Sequence, residues 1–293
     1  MFIATLIAKE SLNERDIQSA IASLGQAGAI VTRQSDLIDG RVVDIFFEGE
    51  PGPARACLEA IGNDIDIAVQ PEADRLKKLL ISDMDSTMIT VECIDELADY
   101  AGIKSEIAAI TERAMQGELD FEEALRGRVA LLKGLETAAI QLCLDERVRI
   151  MPGAETLVRT MAQAGGTTIL VSGGFTKFAK PVAQSIGFES FHANVLGESA
   201  GLLTGRLDGP IVDSARKDQL LQSAAQEGGL SLDSCLAVGD GANDIPMLQR
   251  AGLGVAYHAK PKAAQAADVA IKYNDLTALL YIQGISADQW VTP

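Results

Sequence analysis

The 293-residue sequence predicts an α/β protein: a Rossmann-like parallel-sheet core with a small helical cap, preceded by an N-terminal α+β module of ferredoxin-like βαββαβ order. Three observations carry this. Short apolar runs at Leu79 to Ile81, Thr167 to Val171, Cys235 to Val238 and Leu253 to Ala256 are bounded by Gly, Ser or Asp and alternate with amphipathic stretches, as buried parallel strands do. The first 75 residues hold a strand and helix set of their own. Between the first two core runs, Val91 to Arg149 is helical in pattern and too long for one crossover, which predicts an inserted cap.

From the N-terminus, Phe2 to Ala8 reads as a strand. Ser11 and Glu14 have capping-box spacing ahead of Ile17, Ala20, Ile21 and Leu24 at helical period. Ala29 to Leu37 and Val42 to Phe47 are β-rich runs separated by Asp39-Gly40, after which Pro53 to Ile61 reads as a helix and Ile65 to Val69 as a strand. The arrangement resembles the ACT-type regulatory modules, which implies either an amino-acid ligand or a role in packing or homodimer formation. Pro71 to Lys78 is polar and reads as a linker. The expected division is therefore residues 1–75 for the module and 76–293 for the main domain, with its core at 76–90 and 150–293 and the cap at about 91–149. The two parts are expected to separate. His192 to Leu207, with three glycines, predicts a β-hairpin.

Apolar residues at 47% and charged residues at 23% exclude a disordered or fibrous chain. The net charge of -16 would repel a phosphate backbone, so nucleic acid is not an expected partner. Cys57, Cys93, Cys143 and Cys235 are scattered, and with only two histidines they argue against a structural zinc site. The apolar opening breaks at Lys9, too short for a membrane span and without an export pattern, so a cytoplasmic protein with no membrane partner is expected.

The chemistry-bearing residues fall at the ends of the core runs, where ligands bind in such sheets. Asp83-Met84-Asp85-Ser86-Thr87 follows the first; an EF-hand would need Gly at Met88 and Glu at Ile94, so calcium by that route fails. Gly239-Asp240-Gly241-Ala242-Asn243-Asp244 follows the third, and a dinucleotide fingerprint fails because Asp244 stands where the last glycine belongs. Placed side by side, these acids would repel one another unless a hard cation joins them, and oxygen-only ligation suits Mg²⁺. Ser172-Gly173-Gly174 before a helix can cradle an anion or be an ordinary turn. Lys217 follows the cap residues Asp213-Ser214 in a first helical turn, where a cation opposes the helix dipole and invites an anion.

The order DxDST, SGG, Lys, GDGAND resembles the haloacid dehalogenase (HAD) superfamily of aspartate-based phosphotransferases over about residues 79 to 285, including the insertion of a small cap after the first motif. Residues 83–87 with Glu92, the segment Phe121 to Leu135, and the two later motifs are similar to the phosphoserine phosphatase branch. The resemblance implies Asp83 as nucleophile and Asp85 as acid and base. It implies Mg²⁺ on Asp83, the Asp85 carbonyl and Asp240, with Asp244 orienting the site. Ser172, Gly173, Lys217 and Asn243 would hold the phosphate. Arg128 interrupts the apolar stripe of Phe121, Leu125 and Leu132, a costly place for an unpaired guanidinium. By resemblance it would clamp the carboxylate of O-phosphoserine and Glu92 its amine, while Met115 and Phe121 close over the small-molecule substrate. Transfer of the phosphoryl group to homoserine or another alcohol instead of water stays open at this point.

Overall fold

The computed structural model describes residues 1–36, 38–62, 64–115 and 119–293, except the side chains of residues 112, 114 and 115. The N-terminal module has strands β1 (Phe2–Ala8), β2 (Ile30–Gln34), β3 (Val42–Glu48) and β4 (Ile65–Pro71) and helices α1 (Glu14–Gln26) and α2 (Pro51–Glu59). Its antiparallel sheet runs β2-β3-β1-β4, so β1 pairs with both β3 and β4. Helix α1 starts later than the Ser11 spacing predicts. Asn13 is the N-cap, accepting from the Asp16 N–H at 3.1 Å, and the Asp16 carboxylate accepts from the Asn13 N–H at 3.2 Å. This is the same reciprocal ring, built from an Asn and an Asp in place of Ser and Glu. The expected end of the second strand, Leu37, lies outside the described residues.

Strand alternation divides the module's sheet. Ala4, Leu6, Ala8, Val43, Ile45 and Phe47 belong to the module's own core, whereas Ile7, Val42 and Ala68 join the core of the main domain. Thr5, Asp44, Asp66 and Gln70 are buried on that second face. The Asp66 carboxylate accepts from the N–H groups of Lys272 at 2.7 Å and Asn274 at 3.0 Å, and from the Asn274 side chain at 2.8 Å. Gln70 donates to the Ile282 carbonyl at 2.7 Å. The segment that reads as a linker is tied to both units: Arg75 donates to Asp44 at 2.8 Å and to the Ile282 carbonyl at 2.9 Å, and Lys77 Nζ donates to the Asp233 carbonyl at 2.7 Å. Separation of the two parts would expose the apolar side chains of Ile7, Val42 and Ala68 to water and exchange these buried hydrogen bonds for solvent ones.

The main sheet contains β5 (Leu79–Ser82), β6 (Thr167–Phe175), β7 (Ser190–Ser199), β8 (Leu202–Asp208), β9 (Cys235–Gly239), β10 (Leu253–Tyr257) and β11 (Val269–Ile271). Its order is β11-β10-β9-β5-β6-β7-β8, parallel throughout except for the β7 and β8 hairpin. All four predicted core runs are strands, and the predicted hairpin is β7 with β8, longer at both ends. Among the described residues the cap holds four helices, α3 (Cys93–Tyr100), α4 (Lys104–Met115), α5 (Phe121–Leu131) and α6 (Ala138–Glu146). The core helices are α7 (Ala154–Gln163), α8 (Thr176–Ile186), α9 (Ser214–Glu227), α10 (Ile245–Arg250), α11 (Pro261–Ala266) and α12 (Ala278–Ile282).

The cap leaves and rejoins the core through two adjacent segments. Ile89 bridges Ile150, the Thr90 N–H donates to the Arg149 carbonyl at 3.0 Å, and the Met151 N–H donates to the Met88 carbonyl at 2.9 Å. Residues 134–137 also pin the cap to the hairpin, through Gly134 N–H to the Leu203 carbonyl and Thr137 N–H to the Gly201 carbonyl, each 2.9 Å. Among the described residues no helix is long and apolar enough to cross a membrane.

Candidate active site

Central strand β5 lies between β9 and β6, so the residues that follow these three strands converge at one edge of the sheet. Asp83 follows β5 directly and its N–H donates to the Val238 carbonyl at 2.9 Å, which locks the first motif to the third. The Asp83 Oδ1 accepts from the Met84 N–H at 2.8 Å and lies 2.7 Å from Lys217 Nζ. Lys217 is in the first turn of α9, whose N-cap Asp213 accepts from the Arg216 N–H, and its ammonium also reaches Asp244 at 2.7 Å. The second oxygen of Asp244 accepts from the Gly241 N–H at 3.0 Å.

Carboxylate oxygens of Asp83, Asp240 and Asp244 lie within 4.8 Å of one another. This all-oxygen set fits a hard divalent cation such as Mg²⁺. Both oxygens of Asp244 are engaged by Lys217 and Gly241, whereas among the described residues the Asp240 carboxylate pairs only with the Lys260 ammonium, 3.7 Å away, so Asp240 is the freer ligand. Burial, and then the charge of Asp244, pushes Asp83 well above the usual carboxylate range against the pull of Lys217. Burial pushes Asp240 up to about 6, with Lys260 opposing. Burial works against the Lys217 charge too, yet Asp244 and Asp83 raise its pKa above the ordinary lysine value. Crowded, desolvated acids of this kind are what a bound cation relieves.

Asp85 is held from the cap side. Its Oδ2 accepts from the Cys93 N–H and its Oδ1 from the Cys93 thiol, each at 3.2 Å. Burial, and then the Glu92 charge, pushes Asp85 up to about 7. Glu92 accepts from the Ser86 hydroxyl at 2.7 Å at the start of α3.

At the end of β6 the Ser172 hydroxyl accepts from the Gly174 N–H at 2.8 Å, and Asn194 donates to the Gly173 carbonyl at 2.8 Å. Both glycines sit in tight space: a Cβ at Gly173 would stand 3.2 Å from the Phe121 ring, and one at Gly174 would stand 3.2 Å from Asp85 Oδ2, so either would make its neighbour give way. Phe121, on the cap, thus closes against the cradle. A cavity of about 170 Å³ is lined by Asp83, Asp85, Glu92, Arg128, Ser172, Gly173, Asp240 and Asn243, with Phe121 and Lys260 on its wall. The site residues named from sequence are therefore brought together, with one exception: the Met115 side chain lies outside the described residues. Arg128 Nε donates to the Ala124 carbonyl at 3.3 Å, and among the described residues no carboxylate forms an ion pair with it. Burial lowers its pKa, with Asp95 and Glu92 opposing.

Sequence reading missed Cys93 and Lys260. Cys93 carries no local signal, since a thiol in an amphipathic helix reads as core. Lys260 had one: it stands in the turn after the fourth core strand, where ligands belong.

Residues 80–249 match the haloacid dehalogenase-like hydrolase family. A phosphoserine phosphatase of Polaromonas sp. is 48% identical over 208 residues, 69% of this chain and 88% of the relative. A probable phosphoserine phosphatase of Schizosaccharomyces pombe is 38% identical over 284 residues, 95% of this chain and 94% of the relative. The crystal structure of a probable phosphoserine phosphatase from Vibrio cholerae superposes with a TM-score of 0.77 at 32% identity, covering 97% of this chain and 86% of that one. With its motifs at adjoining strand ends and its relatives matched across module, cap and core, the chain belongs to the haloacid dehalogenase-like hydrolase family, in the branch that holds the phosphoserine phosphatases.

Proposed function

We propose that the protein hydrolyses O-phosphoserine to serine and phosphate through an aspartyl-phosphate on Asp83. The observation that carries this reading is the two-ended cavity, with Asp83, Ser172, Gly173 and Asn243 on the core side and Glu92 and Arg128 on the cap side. A phosphate fits the first end and an amino acid's two opposite charges fit the second.

Asp83 Oδ1 is taken by Lys217 and Met84, which leaves Oδ2 for attack on phosphorus. The Ser172 hydroxyl, the Gly173 backbone and the Asn243 amide hold the phosphoryl oxygens, and Lys217 offsets their charge through its contact with Asp83. Asp85, neutral up to about pH 7, protonates the departing seryl oxygen; the resulting carboxylate then takes a proton from the attacking water. Mg²⁺ held by Asp83, Asp240 and the Asp85 carbonyl, with Asp244 behind them, would supply positive charge against the phosphoryl oxygens. Arg128 pairs with the substrate carboxylate and Glu92 with its ammonium, while Phe121 excludes water. Discrimination by such polar contacts is strong, because a substrate that lacks one leaves a buried charge unpaired.

The N-terminal module's second sheet face is covered by the core. An amino-acid ligand, or a second copy in a homodimer, would therefore meet the module at α1, at α2 or along edge strand β2, where Ile30 is exposed.

The test is phosphate release from phosphoserine, phosphothreonine, phosphoethanolamine and sugar phosphates, with and without homoserine as acceptor. Preference for phosphoserine without an acceptor supports the reading. Release that requires an acceptor would replace hydrolysis by transfer.

A further inference from the structure

We propose that Lys260 is a substrate-handling residue whose ammonium takes the phosphoryl oxygens of the incoming monoester at the mouth of the cavity. This deepens the phosphatase reading and rests on it for the identity of the ester.

The backbone of Lys260 is fixed while its side chain is held loosely. Its N–H donates to the Asp240 carbonyl at 3.0 Å. The turn leading to it is held by the His258 N–H on the Ile271 carbonyl at 2.8 Å and by His258 Nε2, 3.1 Å from the Asn274 carbonyl. The side chain is 60% exposed, and its Nζ stands 3.7 Å from Asp240 Oδ2, beyond hydrogen-bond length. It lines the inner cavity and also a wider outer one of about 790 Å³, which Arg128 and Phe121 of α5 share with Lys262 on the core side.

Charge accounting singles it out. The chain carries a net charge of -16, and Asp83, Asp85, Glu92 and Asp240 all face the inner cavity. Mg²⁺ on Asp83 and Asp240 would offset part of this charge, and a cation at the mouth would draw the phosphate anion in past the remaining acids. Lys217 is buried and already bonded to Asp83 and Asp244, and Arg128 belongs to the cap. Among the described residues Lys260 has only the loose approach to Asp240 to give up, on a flexible stem that can swing. Trading it for a charge-assisted hydrogen bond to phosphate favours binding. Lys262, on the outer wall, extends the positive path outward.

The experiment uses the full chain with Mg²⁺, as wild type, Lys260→Ala and Lys260→Arg. Inorganic phosphate binding is read by calorimetry, and KM and kcat are read on O-phosphoserine and p-nitrophenyl phosphate. Lys260→Ala is expected to weaken phosphate binding and raise KM for both esters by the same factor, roughly three- to tenfold, with a smaller fall in kcat. Lys260→Arg should recover most of the affinity. Unchanged phosphate affinity overturns the proposal. So does a fall in kcat at intact affinity, which would confine Lys260 to Asp240, or a rise in KM for phosphoserine alone, which would place it on the carboxylate. If wild type fails to hydrolyse phosphoserine, the functional reading fails while the phosphate-binding arm still judges Lys260.

Discussion

The Lys217 ammonium donates to Asp83 at 2.7 Å with both side chains almost wholly buried, so the proposed nucleophile and its main counter-charge meet before substrate arrives. The same ammonium holds Asp244 at 2.7 Å. Removing it leaves two buried acids uncompensated. Lys217→Met should cost about 3–5 kcal/mol of stability at neutral pH, since loss of one partner of a buried pair strands the other. Turnover should fall on the order of 10²–10³-fold. Denaturant midpoints and steady-state rates check both; a variant with normal turnover would remove Lys217 from the phosphate site.

Asp83→Asn should abolish the acid-stable label that the enzyme acquires from ³²P-substrate. Asp85→Asn should keep some labelling from p-nitrophenyl phosphate, whose leaving group needs no proton, and almost none from phosphoserine. Equal labelling from both esters would mean that Asp85 is not the acid.

Wild-type pH dependence should follow the same logic. With its pKa pushed up to about 7, the Asp85 proton is available below that pH and is lost as pH rises through it. The labelling step on phosphoserine should therefore slow on the alkaline side, while the step on p-nitrophenyl phosphate declines less. Single-turnover rates across pH 5 to 9 decide this; parallel declines would point to another group.

Chelation should abolish activity and Mg²⁺ should restore it, whereas Ca²⁺, which prefers more ligands and longer bonds, should support little turnover. Full activity in excess chelator would exclude a metal role for the Asp83, Asp240 and Asp244 cluster.

Arg128→Ala should lower kcat/KM on phosphoserine by about 1.5–3 kcal/mol, tenfold or more, with a much smaller loss on p-nitrophenyl phosphate. Similar losses on both would make Arg128 a structural residue of α5.

Asp66→Ala should lower the melting temperature of the whole chain, because the N–H groups of Lys272 and Asn274 lose their acceptor, at about 1–3 kcal/mol for each group left unsatisfied. Calorimetry should show one transition. Two separate transitions would restore the picture of independent units.

The candidate site residues were legible because a parallel sheet gathers chemistry into a few consecutive residues after each strand. Asp83 to Thr87, Ser172 to Gly174 and Asp240 to Asp244 each occupy one such place. Thr5, Asp44, Asp66 and Gln70 carried no such signal. Polar residues alternating with apolar ones suit a wet sheet face as well as a dry one, and only the arrival of Asn274, Ile282 and Arg75 shows that this face is dry. Strand β11 went unread because three residues hold no period. Cys93 acts through one donor on its backbone and one on its side chain, and nothing in spacing announces such a pair.

The contact between Ile89 and Ile150 means that the cap begins and ends at a single point of the core, although about sixty residues lie between. An insert with touching ends can be lengthened, shortened or exchanged during descent without moving β5 or β6. Heredity could therefore alter what the enzyme accepts separately from what it does to it: the proposed substrate clamps Glu92 and Arg128 travel with the cassette, while the proposed nucleophile Asp83 and its partner Lys217 stay with the core. A transplanted cap from a relative, joined at residues 89 and 150, should carry its donor's substrate preference into this chain.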